Sequence, residues 1–424
     1  MSSEMSASTV SQEAKTTLVP KLRFPVFRVE EEWTLTAGNS LFAQIKDRNP
    51  EPGLPFLAIT QEHGAIPRHM IGYHVSVTEK SIESYKVVQV GDFIVSLRSF
   101  QGGIEYSRYH GICSPAYVIL RRRVKESDEY FRHYLKTDGF IRILTRNLEG
   151  LRDGKMISYA QFSELLLPIP GHDEQTKIAD CLNSLDELIA VQVRKVDALK
   201  SHKKGLMQQL FPSEGETRPR LRFPEFRDAG EWECQTLADI ARISSGTTPL
   251  RSNAEFFAGG TIPWVKTTDL NNSFITLTEE YITPKARARI NPAGSVLVAM
   301  YGGFKQIGRT GCLTVPAATN QALSVLVLDQ KRALPVYVLA WLNAKVEDWK
   351  RIASSSRKDP NITGTDVAKF PISLPSPAEQ QRIASFLSNL DTLITAETQK
   401  LEALKTHKKG LIQQLFPAPG RDEP

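Results

Sequence analysis

The chain has 424 residues, 41% apolar and 24% charged, the profile of a globular protein of two or three domains. Fifty-three Lys and Arg against 47 Asp and Glu leave a formal charge of +6, an excess that permits nucleic-acid binding without requiring it. Cys113, Cys181, Cys234 and Cys312 share no paired spacing, which argues against a disulfide framework or a CxxC metal site and fits a reducing cytoplasm. No apolar run approaches the roughly 18 residues that span a bilayer, so neither export nor a membrane partner is expected.

In chain order, residues 1–19 read as a flexible N-terminal tail, and 20–171 as a first domain opened by Pro20-Lys21-Leu22-Arg23-Phe24-Pro25-Val26-Phe27-Arg28. Residues 172–212 read as a long helix and 213–218 as a linker. A second domain over 219–373 opens on Pro219-Arg220-Leu221-Arg222-Phe223-Pro224-Glu225-Phe226-Arg227, with Trp33 and Trp232 at matching offsets behind the two signatures. A second long helix follows over 374–417, and 418–424 reads as a flexible C-terminal tail. Glu174 to Pro212 matches Glu379 to Pro417 at 23 of 39 positions. A period of about 200 residues is far beyond a solenoid unit of about 20–50, so the chain is a duplicated module.

Between these signatures the halves diverge, yet Gly91-Asp92-Phe93-Ile94-Val95-Ser96-Leu97 parallels Gly294-Ser295-Val296-Leu297-Val298-Ala299-Met300, each leading to a glycine pair, Gly102-Gly103 or Gly302-Gly303. Short β-branched and aromatic runs punctuated by Gly, Pro and Asn, with a helix over Pro335 to Arg351, predict two α+β domains of mixed strands and helices. The closing segments have a different period. Ile178, Leu182, Leu185, Ile189, Val196, Leu199, Leu206 and Leu210 follow the alternating four-three spacing of a coiled-coil seam, interrupted at Gln192 and Lys203. Ile383, Leu387, Leu390, Ile394, Leu401, Leu404, Leu411 and Leu415 repeat it in step, interrupted at Glu397 and Lys408. Gly171 and Glu174, and Ser376, Pro377 and Glu379, mark the helix starts as N-caps, a first-turn proline and capping-box acids. Because the spacing continues past Gly205 and Gly410, both helices are expected to run through these glycines.

Residues 20–171 hold 20 basic and 17 acidic side chains, and 219–373 hold 19 and 14. The positive excess therefore sits on the two divergent domains, where a polyanion would bind. Two related domains on a rigid spacer suit DNA, whose half-sites recur at fixed separations. Catalytic signatures are missing. The chain has no glycine-rich cofactor loop with an amide-or-acid-Pro-Pro-aromatic motif, no HExxH and no nucleophile elbow, and Gly150-Leu151-Arg152-Asp153-Gly154-Lys155-Met156 is one residue short of a phosphate loop. No catalytic or metal residue is expected, and His202 and His407 read as parts of the repeated helix.

The chain resembles the specificity subunit of type I restriction-modification systems. The resemblance rests on the Leu-Arg-Phe-Pro-x-Phe openings, Ser245-Gly246-Thr247-Thr248-Pro249 with Ile262-Pro263-Trp264-Val265, and Gly302-Gly303 through Gly308-Arg309 to Asn320-Gln321. Ser96 to Ser107 with Ser114-Pro115-Ala116-Tyr117, both Glu-Gln-x-x-Ile-Ala helices and the Gln-Gln-Leu-Phe-Pro endings complete it; the first half has Ala37-Gly38-Asn39-Ser40 in place of Ser-Gly-Thr-Thr-Pro. The resemblance implies two target recognition domains with twisted sheets, separated by an antiparallel coiled coil in a pseudo-twofold repeat. Each domain would read one half of an asymmetric gapped site on double-stranded DNA, the first domain the 5′ part and the second the 3′ part. It also implies a non-catalytic, cytoplasmic host-defence subunit that binds no cofactor. Its partners would be two methyltransferase subunits, which methylate adenine with S-adenosylmethionine, and two restriction subunits, translocase-nucleases that use ATP and magnesium.

Candidate DNA contacts are basic, amide, hydroxyl and aromatic groups in loops after apolar strands. In the first domain they are Arg98, Ser99, Gln101, Tyr106, Arg108 and Tyr109. In the second they are Lys266, Thr267, Thr268, Asp269, Tyr301, Lys305, Gln306 and Arg309, with Arg357 and Lys358 in a polar loop before the helix. Asp269 could instead cap a turn, and Tyr301 with its glycines could close a hairpin. Two rival functions remain open: a coiled-coil scaffold holding two protein-binding domains, or a recognition subunit whose partner fuses methylation and cleavage.

Overall fold

The computed structural model describes residues 18–71, 84–123, 127–146, 157–354 and 361–417. Arg357 and Lys358, the 150–156 segment and most of both tails lie outside the described residues. The chain divides into two compact units: one runs to Gln192 and resumes at Lys400, and the other is Val193–Gln399.

In the first unit a four-stranded antiparallel sheet runs in the order Phe42–Ile45, Val118–Arg122, Phe93–Val95, Glu105–Tyr106. The hairpin Leu57–Thr60 with Gly64–Pro67 and the pair Lys86–Val88 with Gly111–Cys113 stand beside it. Helices Asp128–Tyr134 and Asp138–Arg146 close its core, where Phe42, Phe93, Tyr130, Phe131 and Phe140 are fully buried. The second unit has a five-stranded sheet in the order Ala241–Ser245, Leu323–Leu328, Val296–Ala299, Thr310–Leu313, Ser273–Ile275, antiparallel except at its last pair. A three-stranded sheet centred on Ile262–Val265 adjoins it. The helix expected over Pro335 to Arg351 is two helices, Pro335–Ala344 and Val346–Ser354. They break at Lys345, whose N–H bonds back to the carbonyls of Trp341 and Leu342.

Each unit is closed by the elements the sequence repeats. Strand Thr34–Ala37 pairs with Leu166–Ile169 in the first, and Glu233–Thr236 with Pro371–Leu374 in the second. The opening arginine then clamps the start of the long helix. Arg23 makes a bidentate pair with Glu174 (2.9 and 2.8 Å) and donates to the Glu30 and Glu31 carbonyls. Arg222 does the same with Glu379 (2.7 Å twice) and the Ala229 and Gly230 carbonyls. Both carboxylates are 1% exposed. These acids therefore serve as buried anchors instead of capping boxes, although the Ser376 hydroxyl still accepts from the Glu379 N–H at 3.4 Å. Gln175 and Gln380, also buried, donate to the Pro170 and Pro375 carbonyls and hold the same turn.

The long helices are His172–Leu210 and Pro377–Leu415, 39 residues each, or about 58 Å at 1.5 Å per residue. Both run through their glycines. Ile178, Leu182, Val196, Leu210, Ile383, Leu387, Leu401 and Leu415 are buried; Leu185, Ile189, Leu199, Leu206, Leu390, Ile394, Leu404 and Leu411 are half-buried. Equivalent positions thus share a burial class. In the first unit Lys408 pairs with Asp186. In the second Lys203 pairs with Asp391 and Lys195 with Glu397, both at 2.5 Å. Among the described residues no helix is long and apolar enough to cross a membrane.

Candidate nucleic-acid interface

In the second unit, strand Val296–Ala299 runs into the loop Tyr301–Arg309, tied back by Gly308 N–H to the Ala299 carbonyl (3.0 Å) and Ala299 N–H to the Arg309 carbonyl (2.8 Å). Gly308 has φ +73°, and a Cβ there would lie 2.7 Å from Cβ of Trp349, so only glycine lets the loop leave the strand at this angle. Tyr301 and Phe304 stand out at 44% and 50% exposure. Lys305, Arg309 and Lys350 line a cleft of ≈ 400 Å³ with Phe304 and Asn272. Asn272 is held at φ +61° by the Thr310 N–H on its side-chain oxygen (3.0 Å), and Asn343 donates to its carbonyl (2.8 Å). Cations beside exposed rings are the chemistry that meets phosphates and bases. Gln306 turns inward, and its side-chain oxygen is buried without a partner among the described residues.

The other candidate loop of this unit is occupied with itself. The Lys266 N–H donates to Asp269 (2.6 Å), which also accepts from the Glu279 N–H (3.3 Å), so Asp269 caps a turn. The Lys266 ammonium pairs with Glu280 at 2.7 Å and Glu279 at 3.0 Å, and the Glu280 bond holds it above the usual lysine range. Arg251 pairs with the same Glu280 while lying 4.9 Å from the rings of both Phe257 and Trp264. Hydrogen bonds from Arg251 and Lys266 pull the Glu280 carboxyl down to about 2. Thr267 is half-buried, and Thr268 is exposed beside this network.

In the first unit, strand Phe93–Val95 leads to the helical turn Ser99–Gly102. Ser99 is 1% exposed and its hydroxyl accepts from the Ser96 N–H at 2.9 Å. It shapes the turn and offers nothing outward, a correction to its place among the contacts. Gly103 at φ +80° closes the turn against the Leu135 carbonyl, 2.1 Å from where a Cβ would stand. Arg98 and Gln101 are exposed. Tyr106 packs on Phe93 at 5.1 Å. Arg108 covers the Tyr106 ring at 5.7 Å and pairs with Glu129 at 3.1 Å. Burial pushes the Tyr106 hydroxyl up. Tyr109 packs against the small core of Leu57, Val88 and Ile94.

The family model described as the type I restriction modification DNA specificity domain matches residues 229–406. Known relatives agree with it. The specificity subunit of the MjaVIII type I restriction enzyme of Methanocaldococcus jannaschii is 24% identical over 92% of this chain and 93% of its own length. The EcoR124I/EcoR124II specificity subunit of Escherichia coli is 26% identical over 59% of this chain and 61% of its own. Residues 229–406 thus match the type I DNA specificity domain, and the chain is similar to type I specificity subunits over most of its length. It spans less than two thirds of the E. coli relative, and 44% of the M. jannaschii MjaIX subunit, to which it is 31% identical. The fold is shared as well. The type I S subunit of M. genitalium superposes with a TM-score of 0.55 at 15% identity, over 95% of this chain and all of that one. A chain from work on complex assembly and conformational transition of the type I system gives 0.59 at 18%, over 91% and 97%.

Two cations in this specificity fold escaped the sequence reading. Arg68 lies over the Phe56 ring at 5.6 Å, with two of its three guanidinium nitrogens unpartnered among the described residues. Lys86 is buried and donates to the Tyr117 carbonyl at 2.5 Å; burial, with Arg48 and Lys46 nearby, pushes its ammonium down. Lys350 and Asn272 were missed in the second unit because they lie far in sequence from the loop they flank. Only the Gly-rich repeat pointed at that loop.

Proposed function

We propose that the chain is the DNA-recognition subunit of a type I restriction-modification complex and carries no catalysis itself. Each α+β domain reads one half of an asymmetric gapped target, over 20–171 and 219–373. The two long helices form an antiparallel coiled coil with pseudo-twofold symmetry that sets the spacing between the halves and docks the methyltransferase subunits. Those partners supply adenine methylation with S-adenosylmethionine, and the restriction subunits supply ATP- and magnesium-dependent cleavage.

The observation that carries this reading is that each unit presents, after the equivalent strand, a glycine-anchored loop with exposed groups. These are Arg98 and Gln101 in one, and Tyr301 and Lys305 beside the half-buried Arg309 in the other. Arg and Gln can each make paired hydrogen bonds to a base edge in the major groove, and Lys and Arg hold phosphates. The reciprocal pairs of Lys408 with Asp186 and Lys203 with Asp391 support antiparallel helices, because in each the partner numbers fall as the other rises. Mapping adenine methylation by single-molecule sequencing, with and without this chain, tests the proposal. A bipartite gapped motif should lose methylation on deletion; unchanged methylation in a strain expressing the complex rejects it. Replacing Arg309 or Arg98 by Ala should relax one half of the motif only, at about 1–3 kcal/mol of discrimination for a lost base contact.

A further inference from the structure

The first unit carries a second basic feature beside helix Asp138–Arg146, which packs against the turn Ser99–Gly102. Where the end of the second long helix meets helix Asp138–Arg146, a cleft of ≈ 560 Å³ is lined by Lys21, Lys136, Arg142, Lys405, Lys408 and Lys409, against the single carboxylate Asp138. Three of these cations are already neutralised: Lys136 by Glu105, Lys405 by Glu402 and Lys408 by Asp186. Lys21, Arg142 and Lys409 are exposed and have no ion pair among the described residues.

The duplicated unit keeps part of this charge, with Arg220, Lys200, Lys203 and Lys204 standing where the first unit has Lys21, Lys405, Lys408 and Lys409. Phe416 packs 5.6 Å from both Tyr130 and Tyr134, and Phe211 packs 5.9 Å from Tyr337 and 5.4 Å from Trp341, so the two helix ends are built alike. The cleft beside Phe211, of ≈ 530 Å³ around Pro212 and Trp341, sets Glu214, Glu216 and Asp348 against Lys345 and Arg351. That cleft is lined by the segment after the helix and not by Lys200, Lys203 or Lys204, so its three acids and two bases occupy a different place from the six bases of the first cleft. A concave surface with unpaired cations collects anions.

The geometry points to a phosphate-binding cleft in the first unit, which takes the sugar-phosphate backbone of duplex DNA or the phosphates of a free nucleotide independently of base sequence. The DNA source rests on the proposed recognition function; the phosphate chemistry does not. The test compares the full-length chain with the variant Lys21→Ala/Arg142→Ala/Lys409→Ala, which leaves the reading loops intact. Affinity for a non-target duplex is measured from about 50 to 200 mM salt, where each lost phosphate contact removes about 0.9 from the slope of log K on log salt. Inorganic pyrophosphate is titrated by calorimetry in parallel.

A slope shallower by about 2–3, with the methylated motif unchanged, assigns the cleft to the DNA backbone. An unchanged slope with loss of pyrophosphate binding assigns it to free phosphates. Neither change, in a variant that melts like the parent, overturns the inference. The charge-conserving variant Lys21→Arg/Arg142→Lys/Lys409→Arg should behave as the parent; if it loses binding as the alanine variant does, charge is not the cause and the inference falls. If the parent binds no duplex and no motif is methylated, the recognition reading fails while the pyrophosphate arm still decides the cleft.

Discussion

The two units meet the same packing task with different chemistry where a domain helix lies against the long helices. Tyr130 donates to the Pro168 carbonyl, and Tyr337 to the Ser373 carbonyl, so the helices Asp128–Tyr134 and Pro335–Ala344 sit in the same register. Beyond these tyrosines the first unit places Arg132 and His133 against Asn183 and Asp186. Nε2 of His133 lies 2.9 Å from the Asn183 side-chain oxygen, and Arg132 bonds Asn183 and Asp186 at 2.5 and 3.3 Å. The second unit has Leu339, Ala340 and Ser388 in place of the first three and keeps the acid as Asp391, and a cleft of ≈ 450 Å³ remains beside Leu339 and Leu387. Shared ancestry preserved the clamp and the helix seam. It did not preserve the filling between them, which makes the first unit polar and pH-sensitive where the second is apolar and open.

The anchors should matter most. Glu379→Ala strands the Arg222 guanidinium and should cost about 3–5 kcal/mol in urea unfolding. Glu174→Ala should cost as much or more, because Nε1 of Trp33 also donates to Glu174 at 3.1 Å while Nε1 of Trp232 has no partner among the described residues. Trivial losses in both variants would show that the clamps behave as surface pairs. Next, Leu182→Ala and Leu387→Ala should fall within the range of about 2–5 kcal/mol for a buried leucine. Leu182 should lie at the upper end and Leu387 at the lower, since Leu387 already borders the open cleft. The reverse order would mean that the cleft closes in solution.

Acid should separate the units by a smaller amount. Burial, then the Arg132 and Lys408 charges, lowers the His133 pKa from 6.5 to about 4. The folded state therefore disfavours the proton that the unfolded chain takes up. The stability contributed by neutral His133 is complete above pH 6.5 and is lost as pH falls toward 4, about 2–3 kcal/mol in all. Ala340 contributes no such slope to the second unit. A His133→Ala variant should flatten the first unit's profile in hydrogen exchange against pH, and an unaltered profile would refute the assignment. Finally, Trp33→Phe should destabilise more than Trp232→Phe by about 1.5–3 kcal/mol, the worth of a hydrogen bond to a charged group, checked by thermal melts of the two variants.

The reading loops divide along the same line between local and distant information. Gly302-Gly303 and Gly102-Gly103 mark sharp turns after the equivalent strands, because Gly103, Gly302 and Gly303 take positive φ wherever the rest of the chain lies. The fate of individual side chains there was hidden. Lys266 and Asp269 looked like contacts, yet Glu279 and Glu280 arrive from a neighbouring strand to bind them. Ser99 looked exposed beside Arg98, yet its turn folds it inward.

By itself the sequence determined the duplication, the position and period of both long helices, and the family resemblance. Near-identity and heptad spacing are one-dimensional signals that neighbouring residues carry without reference to the rest of the chain. Only the tertiary structure decided that Arg23 meets Glu174 across 151 residues and Arg222 meets Glu379 across 157. It also decided that one unit fills its helix contact with His133 while the other leaves it open, and which cations stay unpaired around Lys409. Which charges neutralise one another depends on approaches of a few ångströms between distant segments, and spacing along the chain does not encode them.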